Sequence, residues 1–416
     1  MRKHIWIMNH YAGNMYFNRG GRHYNFAKYL KQAGYEPVVF CANSKHGPAE
    51  TWYSDDALWH EHAAEEIGVP FVFVKARAYT GNGKQRVLNM LDFYRNVKKT
   101  AKEYAVKYGK PDVIYASSVH PLTLVAGIRL AKRFGVKCVC EVRDLWPESL
   151  VAFGAASPHN PAVTVLHWLE KWIYTQADVV VFTMEGAYDY ILEQGWDKQI
   201  PRSKVHYINN GVDLEAFQYN REHFQVDDPD LDDPNIIKIV YTGTIRLVNN
   251  LGALLDAAKR VTDPRIKFLI WGDGDQLPAL RQRVRDEDID NVVFKRRVEK
   301  KFVPSIVSRA DYNYINGMDN DISRFGISPN KLFDYFAAGK PVLMYIRAKY
   351  NPAERFSCGL ICESQEDLDA LLRRLAEIPK VEYAALCQGA EAAAREYDFK
   401  NLTAKLVEII EGVGKA

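Results

Sequence analysis

The chain has 416 residues, of which 47% are hydrophobic and 26% charged, a composition typical of a globular protein with a sizeable core. Its 55 basic and 52 acidic residues leave a net charge of only +3, which argues against a general nucleic-acid binder. No apolar run approaches the ~18 residues of a membrane span, and the apolar stretch at the N-terminus is too short for a signal peptide. We therefore expect a cytoplasmic protein, able to rest on the inner face of the plasma membrane.

Short β-rich runs alternate with helical patterns along the first half of the chain. Strands are predicted at His4–Met8, Pro37–Phe40, Phe71–Val74, Val113–Tyr115, Val136–Val142, Val179–Thr183 and Val205–Ile208. Helical patterns lie near residues 21–33, 56–67, 84–108, 122–134, 162–176 and 185–194. Near-continuous apolar strands separated by crossover helices indicate a parallel sheet that is covered on both faces.

The second half repeats this alternation. Its strands are predicted at Ile236–Thr242, Ile266–Trp271, Val292–Phe294, Tyr312–Ile315, Val342–Tyr345 and Leu360–Cys362. Because one twisted sheet rarely exceeds ~10 strands, we expect an α/β fold of two doubly wound parallel-sheet domains. They would comprise residues 1–208 and 236–398, joined by a hinge and solvated acidic loop at 209–235 and followed by a closing helix at 399–416.

The most informative segment begins at Ser328 and predicts a helix with an anion site at its start. Ser328 is expected to be the N-cap, with Pro329 at the first helical position and Asn330 and Lys331 in the first turn. Unpaired backbone N–H groups at such a terminus attract a phosphate, and Lys331 adds a full positive charge. Asp334, about one turn later, could accept hydrogen bonds from ribose. The alternative is an ordinary capped helix with an incidental lysine.

Glycines follow the first strand, at Gly20 and Gly21. Their spacing is not that of a dinucleotide fingerprint, and no acidic residue follows the second strand, which counts against an NAD site. Glycine allows close backbone approach, so a phosphate or a sugar could contact this turn. A merely flexible turn is the alternative.

Polar residues end two neighbouring strands of the first domain. His120 precedes a helix that Pro121 opens, and a neutral imidazole there could bind a sugar hydroxyl or a phosphate. Arg143 could grip a phosphate, while Asp144 and Glu148 are candidates for orienting an acceptor or acting as a base. These four residues are the catalytic candidates, and rim salt bridges or helix caps are the alternative interpretation.

No metal site is predicted. Asp273 and Asp275, in the turn Gly272-Asp273-Gly274-Asp275, suggest a metal-binding pair, but a helix N-terminus with Lys and Arg can neutralise a diphosphate without a divalent ion. The six cysteines lack zinc-finger spacing and fit buried, reduced thiols. We therefore expect neither a metal nor another cofactor.

The helical pattern at 84–110 is strongly basic. Arg95, Lys98, Lys99 and Lys102 share one face, opposite an apolar face. A solvated outer face is the simpler interpretation. The functional alternative is a patch that binds anionic lipid or a lipid diphosphate, with ~1 kcal/mol contributed by each basic residue near a charged bilayer.

Several motifs, in register along nearly the whole chain, resemble those of the retaining glycosyltransferases of family four. They are Gly20-Gly21-Arg22, Glu141-Val142-Arg143-Asp144-Leu145-Trp146-Pro147-Glu148-Ser149, Ile208-Asn209-Asn210-Gly211-Val212-Asp213, Tyr241-Thr242-Gly243-Thr244, Trp271-Gly272-Asp273-Gly274 and the segment from Ser328 to Val342. The resemblance implies the GT-B fold, in which two Rossmann-like domains face a cleft. The run Arg143–Ser149 resembles the branch of surface-polysaccharide enzymes that includes O-antigen N-acetyl-fucosamine transferases.

The resemblance also implies which residues contact a nucleotide sugar. They are Gly20, Gly21, Gly243, Arg246, Gly272, Asp273, Gly274, Val298, Ser328, Asn330, Lys331 and Asp334. Two positions depart from the family pattern. Gly326 stands where the family carries the first acidic residue of a pair, and Leu251 stands where it often carries a lysine.

The expected activity is a retaining transfer, metal-independent, from a UDP-sugar to a polyprenyl-diphosphate-linked or other glycan acceptor in surface-polysaccharide and lipopolysaccharide biosynthesis. The donor sugar is expected to be an N-acetylated amino sugar. The partners are then the UDP-sugar, the acceptor and the inner-membrane surface, and no nucleic acid. Two alternatives stay open, namely a nucleotide-sugar epimerase on the same scaffold and a non-catalytic nucleotide-sugar-binding subunit.

Overall fold

The computed structural model describes residues 2–45, 49–317 and 320–413. The chain forms two compact units. The first runs to Asn209 and also contains the chain from Phe399 onward, while the second is Asn210–Asp398. The C-terminal helix therefore belongs with the first unit.

An eight-stranded sheet organises the first unit, in the order β3-β4-β2-β1-β5-β6-β7-β8. The strands are β1 (His4–Met8), β2 (Glu36–Ala42), β3 (Trp59–Ala64), β4 (Val69–Val74), β5 (Val113–Ser117), β6 (Lys137–Val142), β7 (Val179–Phe182) and β8 (Val205–Tyr207). Every pair is parallel except β3 with β4. β1 pairs with both β2 and β5, so the strand order reverses there, which is where such sheets bind ligands at their carboxyl ends.

Helices cover both faces of this sheet. They are α1 (Gly13–Phe17), α2 (Arg22–Gln32), α3 (Lys84–Tyr108), α4 (Pro121–Phe134), α5 (Glu148–Ala152), α6 (Pro161–Gln176) and α7 (Ala187–Glu193), joined by the C-terminal helix α17 (Phe399–Val413). The helix α17 packs on α2, whereas α4 packs between α3 and α6. Right-handed crossovers place these two groups of helices on opposite faces of the sheet.

The prediction of a helix at 56–67 is wrong, because the middle half of that segment is the strand β3. It pairs antiparallel with β4, with His60 opposite Phe73 and Ala63 opposite Pro70. The ring of Tyr53 stacks on His60 and His62 with centroids 4.6 and 4.8 Å apart. Tertiary pairing thus overrides the helix propensity of the Ala63-Ala64-Glu65-Glu66 run.

The second unit contains a parallel six-stranded sheet in the order β11-β10-β9-β12-β13-β14. The strands are β9 (Ile237–Thr244), β10 (Ile266–Asp273), β11 (Val292–Lys295), β12 (Tyr312–Asn316), β13 (Val342–Tyr345) and β14 (Gly359–Cys362). The helices are α8 (Leu214–His223), α9 (Pro229–Asp232), α10 (Leu251–Ala258), α11 (Leu277–Asp286), α12 (Val303–Ser308), α13 (Asn330–Ala337), α14 (Pro352–Arg355), α15 (Gln365–Arg374) and α16 (Lys380–Glu396).

The region at 209–235 is more ordered than the expected hinge and solvated loop. It contains α8 and α9, and Asp228 caps α9. The ammonium of Lys295 lies 2.7 Å from the Asp228 carboxylate and 2.6 Å from that of Asp230. Leu231 is buried in the core of the second unit, beside Trp271. A buried leucine and paired carboxylates give this short acidic helix its fixed position.

Two expectations about the chain as a whole can be compared with the structure. Five of the cysteines are buried, Cys387 is half-buried, and all six are free. Within 2–45, 49–317 and 320–413, no helix combines the length and the apolar character that a membrane crossing requires.

Candidate functional site

Glycines bring β9 and β10 unusually close at their carboxyl ends. Gly272 lies opposite Gly243 in the register, and a Cβ atom at Gly272 would sit 1.8 Å from the Gly243 carbonyl oxygen. A Cβ atom at Gly274 would sit 2.1 Å from the carbonyl oxygen of Ile245. Strand packing therefore requires glycine at 272 and 274. It also leaves a rim without side chains, on which a ligand could approach the backbone.

Lys331 points at this rim from the first turn of α13. Its Nζ donates to the Tyr241 hydroxyl at 2.7 Å and to Asn249 Oδ1 at 3.3 Å, and it lies 4.0 Å from the centroid of the Tyr241 ring. A Cβ atom at Gly243 would be only 3.1 Å from that nitrogen. No carboxylate of the described residues forms an ion pair with it, and burial lowers the pKa of Lys331 to about 7.

Asp334 lies one turn along the same helix. Its neighbour Tyr335 accepts the Thr242 backbone N–H at 3.1 Å, which fixes α13 against β9. Asp334 is half-buried and its carboxylate has no hydrogen-bond partner among the residues described, and burial raises its pKa. The rim of the second unit thus presents a cation suited to phosphate and an acceptor suited to hydroxyl groups.

The expectation that Ser328 caps α13 is wrong. The helix begins at Asn330, which is exposed, and Pro329 occupies the capping position without a side-chain hydrogen bond. The Ser328 hydroxyl instead accepts the backbone N–H of Asn210 at 3.1 Å, and its carbonyl accepts from Asn210 Nδ2 at 3.1 Å. Ser328 therefore holds the turn at Asn210. Gly326 has φ of 112°, a conformation that a glutamate would adopt only with strain, so a family-like carboxylate there would be disfavoured.

The remaining positions singled out in this unit lie on loops or at the ends of helices and strands. Arg246 is exposed and unpaired among the described residues, and Leu251 is buried in the core. Asp273 accepts the backbone N–H of Gly274 at 2.8 Å, within its own turn. Val298 packs on the core beside Trp271. No cluster of three or more potential metal ligands occurs in the described parts of the chain.

A buried ionic network underlies the corresponding rim of the first unit. Arg22 donates from Nε to Glu141 at 2.7 Å and from its two terminal nitrogens to the carbonyls of Ile208 at 2.8 Å and Asn209 at 2.6 Å. Glu141 also accepts from the Ser117 hydroxyl at 2.6 Å. Despite burial, the Arg22 charge holds the pKa of Glu141 well below its usual range. Sequence reasoning did not select this pair, because no periodicity distinguishes a buried charge from an exposed one.

His120 lies at the N-cap of α4, as its position before Pro121 predicts, but it is fully buried. Its Nε2 is 2.6 Å from Nδ1 of His10, a neighbour that sequence reasoning missed. Nδ1 of His120 has no partner among the described residues. Burial lowers the pKa of His120 to about 3, so this imidazole is neutral at pH 7 and acts through hydrogen bonds rather than charge.

The three other catalytic candidates follow β6 and differ in exposure and in their partners. They are Arg143, Asp144 and Glu148. The Arg143 side chain is half-buried, its Nε has no hydrogen-bond partner and it forms no ion pair within the described structure. Asp144 is exposed. Glu148, at the start of α5, lies 3.3 Å from Nε2 of His167 on α6. Arg143 is thus available to an anion, whereas Glu148 already has a cationic partner when His167 is protonated.

The glycines before α2 have a steric role. Gly21 has φ of 105°, and a Cβ atom there would lie 3.1 Å from Met15 Cγ, whereas a Cβ atom at Gly20 would make only an ordinary contact with the Asn18 carbonyl oxygen at 3.7 Å. The turn therefore depends on Gly21, and it brings Arg22 to Glu141.

Comparisons with known proteins agree with the fold. Residues 22–216 match the family model described as Glycosyltransferase Family 4, and residues 237–378 match the model Glycosyl transferases group 1. A sucrose-phosphate synthase from Thermosynechococcus elongatus aligns over 100% of both chains with a TM-score of 0.72 at 15% identity. The fold is GT-B. Each half of the chain thus matches a glycosyltransferase family model.

Two further relatives are informative. The Anabaena protein Alr3699/HepE, solved in complex with UDP and glucose, aligns over 99% of this chain and 100% of its own, with a TM-score of 0.64 and 15% identity. The probable glycosyltransferase WbjE of Pseudomonas aeruginosa is 25% identical over 237 residues. That alignment covers 56% of this chain and 56% of WbjE, little more than half of the relative's length.

The first glycosyltransferase domain also carries the predicted basic face. Arg95, Lys98, Lys99 and Lys102 line a groove of about 490 Å³ between α3 and α4, and α4 adds Arg129 and Arg133. Lys98 lies 3.8 Å from the centroid of the Tyr94 ring. None of the four predicted residues forms an ion pair with a described carboxylate. The basic surface is therefore wider than the sequence indicated, because α4 contributes residues that are distant in the chain.

Proposed function

We propose that the protein is a retaining glycosyltransferase that takes its sugar from a UDP-sugar. One observation carries the proposal: a lysine ammonium without a carboxylate partner lies at the carboxyl end of β9, in the first turn of α13. A buried cation without an acid is unfavourable until an anion arrives. The diphosphate of a nucleotide-sugar donor is the anion that would bind here in a glycosyltransferase.

The donor would be bound by the second domain. Lys331 and the first N–H groups of α13 would hold the diphosphate, and Asp334 would accept hydrogen bonds from the ribose. The backbone around Val298 would contact the base. HepE in complex with UDP and glucose supports this assignment by its fold alone. With Lys331 neutralising charge, we propose that transfer needs no divalent ion.

The reaction would proceed on one face of the donor sugar. The bond between the anomeric carbon and the diphosphate oxygen breaks while the acceptor hydroxyl forms the new bond on the same face. Its proton passes to the departing phosphate oxygen. Gly326 offers no carboxylate to act as a nucleophile, which favours this path over a covalent intermediate. Stabilisation of the departing diphosphate by fixed positive charge would supply most of the catalysis.

The acceptor would be bound by the first domain. We propose a polyprenyl-diphosphate-linked glycan, and the unpaired Arg143 and the basic groove support an anionic acceptor. The resemblance of the run Arg143–Ser149 to surface-polysaccharide enzymes supports a role in surface-polysaccharide biosynthesis, with an N-acetylated amino sugar as the transferred group. Such an acceptor would bring the enzyme to the inner face of the plasma membrane.

Titration calorimetry with UDP tests the donor site. Lys331→Met should weaken UDP binding by ~1.5–3 kcal/mol, the size of a charge-assisted contact. Lys340→Met, beyond the other end of α13, is the matched control and should leave UDP affinity unchanged. Equal UDP affinity in the parent and in Lys331→Met would remove the diphosphate assignment.

A second experiment addresses the activity itself. Proton NMR of a UDP-sugar with the enzyme should show slow release of UDP and free sugar without an acceptor. Retention predicts that the first anomer released has the donor's configuration. Conversion to a different UDP-sugar would instead identify an epimerase, and a donor that stays intact would indicate a non-catalytic binding subunit.

A further inference from the structure

The helix α6 is apolar on both its inner and its outer side. Its inner side contributes the buried residues Val163, Ile173 and Tyr174 to the core of the first domain. Its outer side should be polar in a protein whose surface faces only water, since a helix that is apolar all round is normally buried.

The outer side of α6 carries a continuous apolar stripe. Val165, Trp168, Leu169 and Trp172 recur at the i, i+3, i+4, i+7 spacing of one helical face. Val165 is 64% exposed and Trp168 is 69% exposed, and both are among the most exposed large apolar side chains described, whereas Leu169 and Trp172 are half-buried. We call these four residues the α6 stripe. Lys171 of α6 is not part of the stripe, and its Nζ lies 5.9 Å from the centroid of the Trp196 ring.

The α6 stripe adjoins the basic groove. The helix α4 packs between α3 and α6, so the outward faces of the three helices share one side of the domain. The link is direct, because Lys132 of α4 donates to Gln176 of α6 at 2.5 Å, one turn beyond Trp172. The cations on α3 and α4 include Arg95, Lys98, Lys99, Lys102, Arg129, Lys132 and Arg133.

We propose that this face docks on an anionic lipid bilayer, with the α6 stripe entering the interface and the basic groove contacting the lipid headgroups. Tryptophan is enriched at membrane interfaces, and apolar area combined with basic charge is what holds amphipathic helices there. A second copy of the chain fits less well, because a symmetric dimer through α6 would place the two basic faces near each other. The inference rests on the proposed membrane-bound acceptor, and it specifies the surface that meets the membrane.

Co-sedimentation of the full chain with vesicles tests the proposal. Vesicles of phosphatidylglycerol and phosphatidylcholine should bind the parent, and Val165→Gln/Trp168→Gln should lower the affinity by at least about tenfold, since burial of each large apolar side chain is normally worth that much. Val381→Gln is the control, because Val381 is 83% exposed on α16 of the other domain. It should bind vesicles like the parent.

Salt separates the stripe from the groove. Replacing Arg95, Lys98, Lys99 and Lys102 with Gln should lower vesicle affinity by over a hundredfold at low salt but have little effect near 1 M salt, where the Debye length is ~3 Å. The Val165→Gln/Trp168→Gln defect should persist at both salt concentrations. Brominated lipids should also quench tryptophan emission more in the parent than in Trp168→Phe.

Several outcomes would overturn the proposal. One is vesicle binding by Val165→Gln/Trp168→Gln equal to that of the parent. Another is light scattering that shows a dimer of the parent which this variant converts to monomers, because then a second copy covers the stripe. UDP binding measured in parallel keeps the two hypotheses apart. Lost vesicle binding with intact UDP affinity concerns the stripe, whereas absent UDP binding in the parent would contradict the proposed function.

Discussion

The two domains treat a buried cation in opposite ways. In the first, Arg22 is surrounded by the Glu141 carboxylate and the carbonyls of Ile208 and Asn209. In the second, the partly buried Lys331 has, among the described residues, only a tyrosine hydroxyl, an aromatic face and an amide oxygen as partners. The Arg22 charge outweighs burial and holds the pKa of Glu141 well below its usual range, whereas burial lowers the pKa of Lys331 to about 7.

This difference separates a charged residue that stabilises the fold from one that binds a ligand. A buried charge with an internal counter-ion and satisfied hydrogen bonds fixes the local fold, and removing one partner is costly. A buried charge without a counter-ion destabilises the free protein and is explained by a ligand that brings the missing charge. The comparison therefore favours a scaffold role for Arg22 and supports the proposed ligand-binding role of Lys331. Four measurements can break or sharpen it.

The largest effect is expected from Glu141→Gln. Loss of the carboxylate leaves the Arg22 guanidinium buried without a counter-ion, so the free energy of unfolding should fall by about 3–5 kcal/mol. Urea denaturation measures this. Asp56→Asn removes a fully exposed partner of Lys75 and should leave the stability almost unchanged. A Glu141→Gln variant as stable as the parent would show that the pair is not structural.

The rim of the second domain should be nearly as sensitive to sterics. Gly272→Ala would place a methyl group 1.8 Å from the Gly243 carbonyl oxygen, so we expect a loss of about 3 kcal/mol or failure to fold. The control is Gly252→Ala within α10, where the new Cβ atom would lie 3.8 Å from Arg283 Nη1. That change should be neutral or stabilising by up to ~1 kcal/mol, since alanine favours helices. Similar stability in both variants would contradict the close strand approach.

A smaller effect of opposite sign is expected from Lys331→Met in the free protein. Because the pKa of Lys331 is about 7 when folded and ~10.4 when unfolded, the unfolded chain binds this proton more tightly. The penalty is therefore greatest below pH 7 and fades as the pH rises towards ~10. Thermal unfolding should show Lys331→Met more stable than the parent by roughly 1–2 kcal/mol at pH 7, and by less at pH 10.

Saturating UDP should reverse that order at pH 7, because the diphosphate supplies the counter-ion. Binding above pH 7 should also take up a proton, which calorimetry detects by comparing buffers of different ionisation enthalpy. A variant that is less stable than the parent without UDP would mean that Lys331 serves the scaffold, as Arg22 does.

The smallest effect is expected from removing divalent ions. If Lys331 neutralises the diphosphate, transfer should proceed in excess EDTA at a rate within about twofold of that without chelator. A sensitive UDP-release assay measures this. An absolute requirement for Mg²⁺ or Mn²⁺ would return Asp273 and Asp275 to consideration as ligands.

Local pattern determined much of this protein. The alternation of apolar strands with helical periodicity predicted two parallel-sheet α/β units, and the structure confirms them because strand burial and crossover helices follow from short-range spacing. The helix that carries Lys331 and Asp334 was likewise predicted from Pro329 and the residues after it, although its cap was misplaced at Ser328. The assignments of the site residues to donor and acceptor stay predictions.

Tertiary structure alone decided the environments of those residues. Tyr241 and Lys331 are 90 positions apart, and only the packing of α13 on β9 brings the hydroxyl to the ammonium. The counter-ion of Arg22 lies 119 positions away. The segment that forms β3 contains helix-forming residues, and only its pairing with β4 makes it a strand. Spacing encodes which face of an element is apolar, but burial, pairing and pKa depend on contacts between distant segments, which spacing does not record.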